Sequence, residues 1–393
     1  MEKRRVCVAT GSRADYGLLS SLMRRLQEAA DFQLQVLATG MHLSAEFGHT
    51  IDLVRADGFA IDAEVDMLLA ADTRAAMAKS AGLGMLGCAD ALSRLAPHIV
   101  VVIGDRFEML AVASTAMLLG IPIAHIHGGE VTEGAVDESI RHAITKMASL
   151  HFVAADPYRR RVIQLGEAPE RVFLVGTTGL DALAQLQPLG REALGRQVGL
   201  DLDDGFFLVT YHPATRGEIA PLCAVNELLA ALDRFPDCRI VMTKSNADAD
   251  GRAINQRLAE YQVPRKDRVA LVASLGQPAY LSALIAAAVV IGNSSSGIIE
   301  APAVGTPTVN IGSRQHGRLR AASIVDCAEH ADEIAAAIGK VRDPAFRRLA
   351  AACEPPYGRP RDAAGRIVAA LRGVPLASLR VKPFHDLPPA KET

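Results

Sequence analysis

The chain has 393 residues, half of them apolar and 22% charged, with a formal net charge of −2. That length exceeds one ordinary core and calls for two domains, and the near-neutral charge excludes the electrostatic attraction that nucleic acid or an anionic membrane surface would need. Tryptophan is absent and aromatics make up only 4%, so no stacking platform for bases stands out. No apolar stretch approaches the ~18–20 residues of a membrane helix, and the N-terminal apolar run is too short for a signal peptide. The six cysteines are scattered without a Cys-x-x-Cys pair. A cytoplasmic protein with reduced thiols is expected.

Short β-branched or apolar runs alternate with longer helical patterns, which predicts parallel sheets covered by helices on both faces. In the first half, strands are predicted at residues 4–10, 33–39, 98–103, 122–126, 150–154 and 171–175, with helices over 18–29, 107–119 and 138–148. The rhythm breaks between Leu186 and Gly190, and again at 201–205, where Pro, Gly and Asp suit a linker and a turn. A second series follows, with strands at 206–211, 238–242, 268–273, 288–291 and 307–311 and helices over 219–235, 250–261 and 279–287. A last helix spans 362–371, and the Pro-rich tail beyond it is expected to be weakly ordered unless it docks. The fold class is therefore α/β, with two doubly wound, Rossmann-like domains at 1–185 and 190–358. In such folds ligands bind at the carboxyl ends of the strands, so a crevice between two facing domains is expected.

The polar motifs sit at those strand ends. After the first strand come Thr10, Gly11, Ser12, Arg13, Ala14, Asp15, Tyr16 and Gly17. This is not Gly-x-Gly-x-x-Gly, and no acidic residue follows the second strand, so a nicotinamide site is disfavoured. Arg13 suits a phosphate or carboxylate, or else pairs with Asp15. Asp105 and Arg106 follow the 98–103 strand, where Asp105 is either a catalytic carboxylate, the cap of the next helix or half of a local ion pair. The next turn supplies His125, His127, Gly128, Gly129 and Glu130, then Glu133, Asp137 and Glu138. Two histidines near carboxylates permit a metal, yet the paired glycines suit close backbone approach to a ligand equally well. Clustered carboxylates push one another's pKa values apart, so that one can act as acid and another as base; a solvated acidic loop is the plainer alternative.

In the second half, Pro213 holds His212 extended at a strand end, where its ring can meet a diphosphate. Gly292, Asn293, Ser294, Ser295, Ser296 and Gly297 follow an apolar strand and are predicted to open a helix. Free N–H groups and hydroxyls at a helix start make a phosphate site, unless the serines merely cap it. Glu300, one turn on, can accept hydrogen bonds from a ribose, and Arg314 follows what reads as the last strand. There is no nucleophile elbow and no Walker A sequence.

Taken in order, Gly-Ser-Arg13-Ala-Asp-Tyr, Thr39-Gly-Met-His42-Leu, Gly-Asp105-Arg106-Phe-Glu, His-Gly-Gly-Glu130, Asp137-Glu-Ser-Ile-Arg-His, His212-Pro-Ala-Thr, Gly-Asn-Ser-Ser-Ser-Gly and Gly-Ser-Arg314-Gln closely resemble the hydrolysing UDP-N-acetylglucosamine 2-epimerases of the bacterial sialic-acid pathway. The resemblance implies a GT-B-like pair of domains, with residues 359–393 forming a helix that crosses back to the first domain, plus a tail. It implies catalytic roles for Asp105, Glu130, Asp137 and His212. It places Arg13, Gly17, His42, Arg106, Asn246, Ser294, Ser295, Ser296, Gly297, Glu300 and Arg314 around the nucleotide sugar. The expected reaction converts UDP-N-acetylglucosamine and water to N-acetylmannosamine and UDP, without redox cofactor or metal, in a homodimer or homotetramer. Family members also act on UDP- or GDP-linked diacetamido-trideoxyhexoses of the bacillosamine type, and these share every motif quoted. A non-hydrolysing epimerase, a GT-B glycosyltransferase and a silent nucleotide-sugar-binding protein are the remaining alternatives.

Overall fold

The computed structural model describes residues 3–71, 73–131, 136–213, 219–245, 251–273 and 275–387. The chain divides into two compact units, one comprising the residues up to Asp181 together with those from Asp362 onward, the other running from Ala182 to Arg361.

The first unit is built on a parallel sheet of β1 (Arg4–Thr10), β2 (Phe32–Thr39), β3 (Ala63–Val65), β4 (Ile99–Ile103), β5 (Ile123–Ile126), β6 (Leu150–Val153) and β7 (Val172–Leu174), in the order β3-β2-β1-β4-β5-β6-β7. Its central strand β4 reads Ile-Val-Val-Val-Ile and is buried throughout. An unbroken apolar run is what a parallel strand covered on both faces requires. One face packs against the helices Arg13–Glu28 and Ala363–Gly373, through Leu19, Leu22, Ile367 and Leu371. The opposite face packs Leu92, Met109, Val112 and Ile144 from three further helices.

The second unit repeats the plan with β8 (Phe206–Thr210), β9 (Arg239–Thr243), β10 (Val269–Val272), β11 (Val289–Gly292), β12 (Thr308–Ile311) and β13 (Ile324–Cys327), in the order β10-β9-β8-β11-β12-β13, all parallel. In each sheet the winding direction reverses once, between β1 and β4 and between β8 and β11. Those reversals are where a doubly wound sheet opens a binding crevice, because the flanking connections leave in opposite directions.

Four differences from the sequence reading have physical causes. The helix Arg74–Leu95 carries glycines that blur its apolar stripe; a Cβ at Gly87 would come within 2.7 Å of Val65, so the glycine lets this helix lie close on β3. Strands β3 and β13 are edge strands whose runs, Ala-Glu-Val and Ile-Val-Asp-Cys, are each interrupted by an acidic residue, so neither reads as an apolar strand. β13 also means that the strand before Arg314 is not the last one. The serine-rich turn does not open a regular helix: Ser295–Gly297 form one 3-10 turn, followed by the four residues Glu300–Ala303.

The helix Ala363–Gly373 is fixed to the first unit by a side-chain cap from a distant residue. Both carboxylate oxygens of buried Asp181 accept from the Ala363 and Ala364 N–H groups at 2.8 Å. The tail docks rather than trails: Ser149 Oγ donates to the Leu379 carbonyl at 3.1 Å, and the His385 N–H to the Gly166 carbonyl at 3.0 Å. Among the described residues no helix is long and apolar enough to cross a membrane.

Candidate active site

In the first unit the predicted groups collect at the β1/β4 switch and along the neighbouring β5. Asp105 lies in the turn after β4. It does not cap the helix Phe107–Leu118, whose first cap position is Arg106, and it does not pair with Arg106. Its partner is the buried Arg141 of the helix Val136–Met147, reached across 36 positions of sequence. The same guanidinium donates to the Glu130 main-chain carbonyl at 2.9 Å and to the Glu138 carboxylate at 3.1 Å. One buried cation therefore fixes two of the three proposed catalytic carboxylate residues in register.

Glu130 has a second restraint. Its Oε1 lies 2.6 Å from His127 Nδ1, and the His127 Nε2 lies 3.4 Å from the Thr177 hydroxyl. His127 adopts φ +66°, a left-handed conformation that a side-chain-bearing residue holds only when its surroundings compel it. Gly129 follows at φ +77°, and a Cβ there would come within 2.6 Å of the Tyr158 carbonyl. The two glycines thus let the chain press against its neighbours while the Glu130 side chain turns back to the imidazole. His125 behaves differently. It is fully buried, with Nε2 2.7 Å from the Gly104 carbonyl and Nδ1 3.2 Å from the Thr145 hydroxyl. Burial lowers its pKa to about 3, so it is a neutral structural residue whose ring nitrogens are both engaged.

Arg106 is held by Glu108, with Nε to Oε2 at 3.1 Å and Nη2 to Oε1 at 3.0 Å. Glu108 is completely buried beneath Gly11 and Gly40. Asp15 turns inward rather than toward exposed Arg13, and its Oδ2 accepts from the Gly11 N–H at 3.3 Å. Burial raises its pKa to about 6, against the pull of the Arg106 charge. Asp137, in the opening turn of its helix, is near enough to Arg106 to stabilise that charge. Gly17 sits exposed on the helix Arg13–Glu28 with open space where a Cβ would stand. His42, expected from the motifs as a ligand contact, is set inside the unit. It is fully buried between the Thr10 and Thr50 hydroxyls, at 2.9 and 2.8 Å, and burial lowers its pKa to about 4. It is a neutral brace for the turns after β1 and β2.

In the second unit the β8/β11 switch gathers His212, the serine turn and Arg314. Gly292 holds φ +134°, and a Cβ there would meet the Thr210 carbonyl at 2.0 Å, so only glycine lets β11 end this close to β8. The buried Asn293 follows. Its side chain accepts from the His212 N–H and donates to the His212 carbonyl, both at 2.8 Å. Its main-chain carbonyl accepts from Arg314 Nη1 at 3.1 Å and Gln315 Nε2 at 2.9 Å. The His212 ring reaches Ser245 Oγ at 3.4 Å. Ser294 caps the 3-10 turn, and the Ser296 hydroxyl is taken up by Tyr280 at 2.5 Å and Ser294 at 3.1 Å. Ser296 is thus a support beneath Gly297, while Ser294 and Ser295 are the half-buried hydroxyls of the turn. Glu300 carries an Oε2 that is buried without a hydrogen-bond partner among the described residues. Burial raises its pKa to about 7. A buried carboxylate with an unused acceptor invites a ligand that donates hydrogen bonds. Asn246 lies outside the described residues.

Sequence reasoning did not single out Arg141, Glu108 and Asn293 as site residues, although all three stand inside quoted motifs, and it weighed His127 only as a metal ligand. Arg141 and Asn293 act through partners far away in sequence, which no local spacing announces.

Two Rossmann-like units with polar groups at both switch points define the α/β, GT-B-like class of nucleotide-sugar enzyme folds. Residues 24–372 match the model of the UDP-N-acetylglucosamine 2-epimerase family, and the chain belongs to that family. It is 41% identical over 326 residues to the GDP/UDP-N,N'-diacetylbacillosamine 2-epimerase (hydrolyzing) of Campylobacter jejuni, covering 83% of this chain and 85% of that one. The UDP-N,N'-diacetylbacillosamine 2-epimerase (hydrolyzing) of Legionella pneumophila is 36% identical over 323 residues, covering 82% and 85%. The fold is shared with the UDP-GlcNAc 2-epimerase of Neisseria meningitidis, solved bound to UDP-GlcNAc, with a TM-score of 0.79 at 17% identity over 94% of this chain and 99% of that one.

Proposed function

We propose that this protein is a hydrolysing 2-epimerase whose substrate is a UDP- or GDP-linked 2,4-diacetamido-2,4,6-trideoxyhexose of the bacillosamine type. The observation that carries the choice of sugar is the identity of 41% and 36% to two enzymes named for that substrate, over more than four fifths of each chain. UDP-N-acetylglucosamine, the sugar first expected from the motifs, is the second reading. The assignment fits a place in nonulosonate biosynthesis.

In the proposed mechanism a carboxylate removes the weakly acidic C2 proton while the nucleoside diphosphate leaves C1, giving a 2-acetamidoglucal. Water then adds at C1 and a proton returns to C2 from the opposite face, releasing the free epimerised sugar. Two protons on opposite faces need at least two acid–base groups, which Asp105, Glu130 and Asp137 supply. In the second unit His212, Arg314 and the hydroxyls of Ser294 and Ser295 stabilise the departing diphosphate, and Glu300 accepts from the ribose. In the first unit Arg13, Gly17 and Arg106 are the proposed substrate-binding residues. The arrangement around Arg141 supports this reading because it leaves Asp105 and Glu130 in fixed register. The test is a panel of UDP- and GDP-linked 2-acetamido sugars, followed by nucleotide release and by identification of the freed sugar. Highest kcat/KM on a diacetamido-trideoxyhexose is expected. Turnover of UDP-N-acetylglucosamine alone would move the assignment to the second reading, and transfer to an acceptor would remove it.

A further inference from the structure

The first unit contains a cavity of about 490 Å³ that the catalytic groups do not explain. It lies at the carboxyl ends of β2, β3 and β4, between the turn that follows β2, the segment that follows β3 and the start of the helix Phe107–Leu118. Met41, Leu68, Leu69, Met77 and Phe107 supply its apolar wall. Two of these stand beside functional positions in the chain: Phe107 directly follows Arg106, and Met41 directly precedes His42. Resting on the substrate class proposed above, we propose that this cavity receives the 6-methyl and 4-acetamido groups of the sugar, and that it selects a deoxygenated, acylated hexose over N-acetylglucosamine.

The chemistry of the lining excludes the other half of the substrate. Among the described residues lining it there is no lysine or arginine, and Glu46 brings a negative charge, so the cavity does not suit a phosphate. Two of its three hydroxyls already accept from the main chain, Thr73 Oγ1 from the Ala76 N–H at 3.1 Å and Ser80 Oγ from the Leu69 N–H at 3.1 Å, while Ser44 and Glu46 form a polar edge that can meet the amide of the 4-acetamido group. Opposite that edge stands thioether, aliphatic and aromatic surface, which is soft and adaptable where methionine contributes it. A methyl group set against this apolar wall enters freely, whereas the C6 hydroxyl of N-acetylglucosamine placed there would lose water without gaining a partner. The volume lies within the range of small-ligand sites, so one sugar edge with its acetamido group is accommodated.

The test compares kcat/KM for UDP-linked 2,4-diacetamido-2,4,6-trideoxyglucose, its 4-hydroxy analogue and UDP-N-acetylglucosamine in the wild type and in Leu69→Gln and Met77→Gln. Neither residue belongs to the buried core, so both variants should keep the wild-type melting temperature. A polar amide in the cavity should lower kcat/KM for the diacetamido sugar by about tenfold or more, the size of effect one apolar contact has on specificity. UDP-N-acetylglucosamine turnover and UDP affinity should stay within about threefold, well inside that tenfold effect. In the wild type the 4-hydroxy analogue should fall between the two sugars. A wild type active on the diacetamido sugar, with variants that keep its selectivity or lose all three substrates equally, would overturn the cavity assignment alone. A wild type active only on UDP-N-acetylglucosamine would overturn the substrate reading and the cavity with it.

Discussion

The Asn293 side chain clasps the main chain of His212 from both sides, accepting from its N–H and donating to its carbonyl at 2.8 Å each. The contact continues the hydrogen bonding of β8 past its end, so the imidazole leaves the sheet from a fixed backbone. Asn293→Ala should lower kcat by about 10–100-fold, the scale of a misplaced catalytic group. Nucleotide affinity should change less, because the bonds to Arg314 and Gln315 use the Asn293 main chain, which the substitution keeps. Steady-state kinetics with a UDP-binding isotherm separates the two effects. Equal losses in both would reduce Asn293 to a general packing residue.

Isotope content in the product reports the reaction type. If C2 is deprotonated and then reprotonated from solvent, turnover in heavy water should place deuterium at C2 of the released sugar, readable by mass spectrometry and proton NMR. Protium at C2 would exclude elimination and hydration and favour direct hydrolysis.

Arg141 should be the residue whose loss damages both catalysis and stability. Arg141→Met takes the cation from Asp105 and removes one donor from the Glu130 carbonyl. Breaking a largely buried pair from one side costs about 3–5 kcal/mol, so chemical denaturation should show a large loss along with kcat. Arg141→Lys keeps a charge but not the fork that spans both partners, and should recover stability more than rate. A methionine variant with wild-type kcat would show that the register of the two carboxylates is not needed.

Much of the fold was readable because the central strands are unbroken β-branched runs: Ile99–Ile103 has nothing but Ile and Val. The edge strands β3 and β13 and the glycine-bearing helix Arg74–Leu95 were not, since their positions are set by neighbours rather than by their own periodicity. The candidate site divides the same way. Asp105, Glu130 and His212 announce themselves as polar residues at strand ends, while Arg141 and Asn293 acquire meaning only when distant segments meet. His42 is the converse case. Its motif is plain, yet two threonine hydroxyls and complete burial make it a brace.

Glu300 gives nucleotide binding a pH dependence of known sign. Burial raises its pKa to about 7, and ribose hydroxyls donate more strongly to the ionised form. Affinity for UDP should therefore rise as pH climbs through 7 and level off above it, by at most about tenfold per pH unit. Phosphate ionisation contributes to the raw profile, so the quantity to read is the difference between wild type and Glu300→Gln by calorimetry. The difference should shrink with a nucleotide lacking the 2′-hydroxyl. Parallel profiles for the two proteins would remove Glu300 from the ribose.

The docked tail makes a separate prediction about acid stability. Glu167 is buried, and its carboxylate meets Lys146 at 2.6 Å, Lys382 of the tail at 2.7 Å and His151 at 2.9 Å. Burial alone would raise its pKa, but these three donors overrule it and hold the value at about 2, below the ordinary 4.5. His151 is itself kept neutral by burial, so it serves through its Nε2–H, with Nδ1 as the lone pair left unpartnered among the described residues. A carboxylate whose folded pKa is depressed stabilises the protein above its unfolded pKa, and that contribution is lost as pH falls through the folded value. The window here runs from about 4.5 down to about 2. The contribution is roughly 3 kcal/mol, because each pH unit across that window is worth about 1.4 kcal/mol. Urea unfolding should show wild type and Glu167→Gln farthest apart above pH ~4.5 and converging as the solution is acidified. Lys382→Ala should lose part of the same gap, because it removes one of the donors and the anchor of the tail to the Lys146 carbonyl at 2.6 Å. A gap between wild type and Glu167→Gln that stays constant across the acid range would show that the cluster holds the tail by packing rather than by charge.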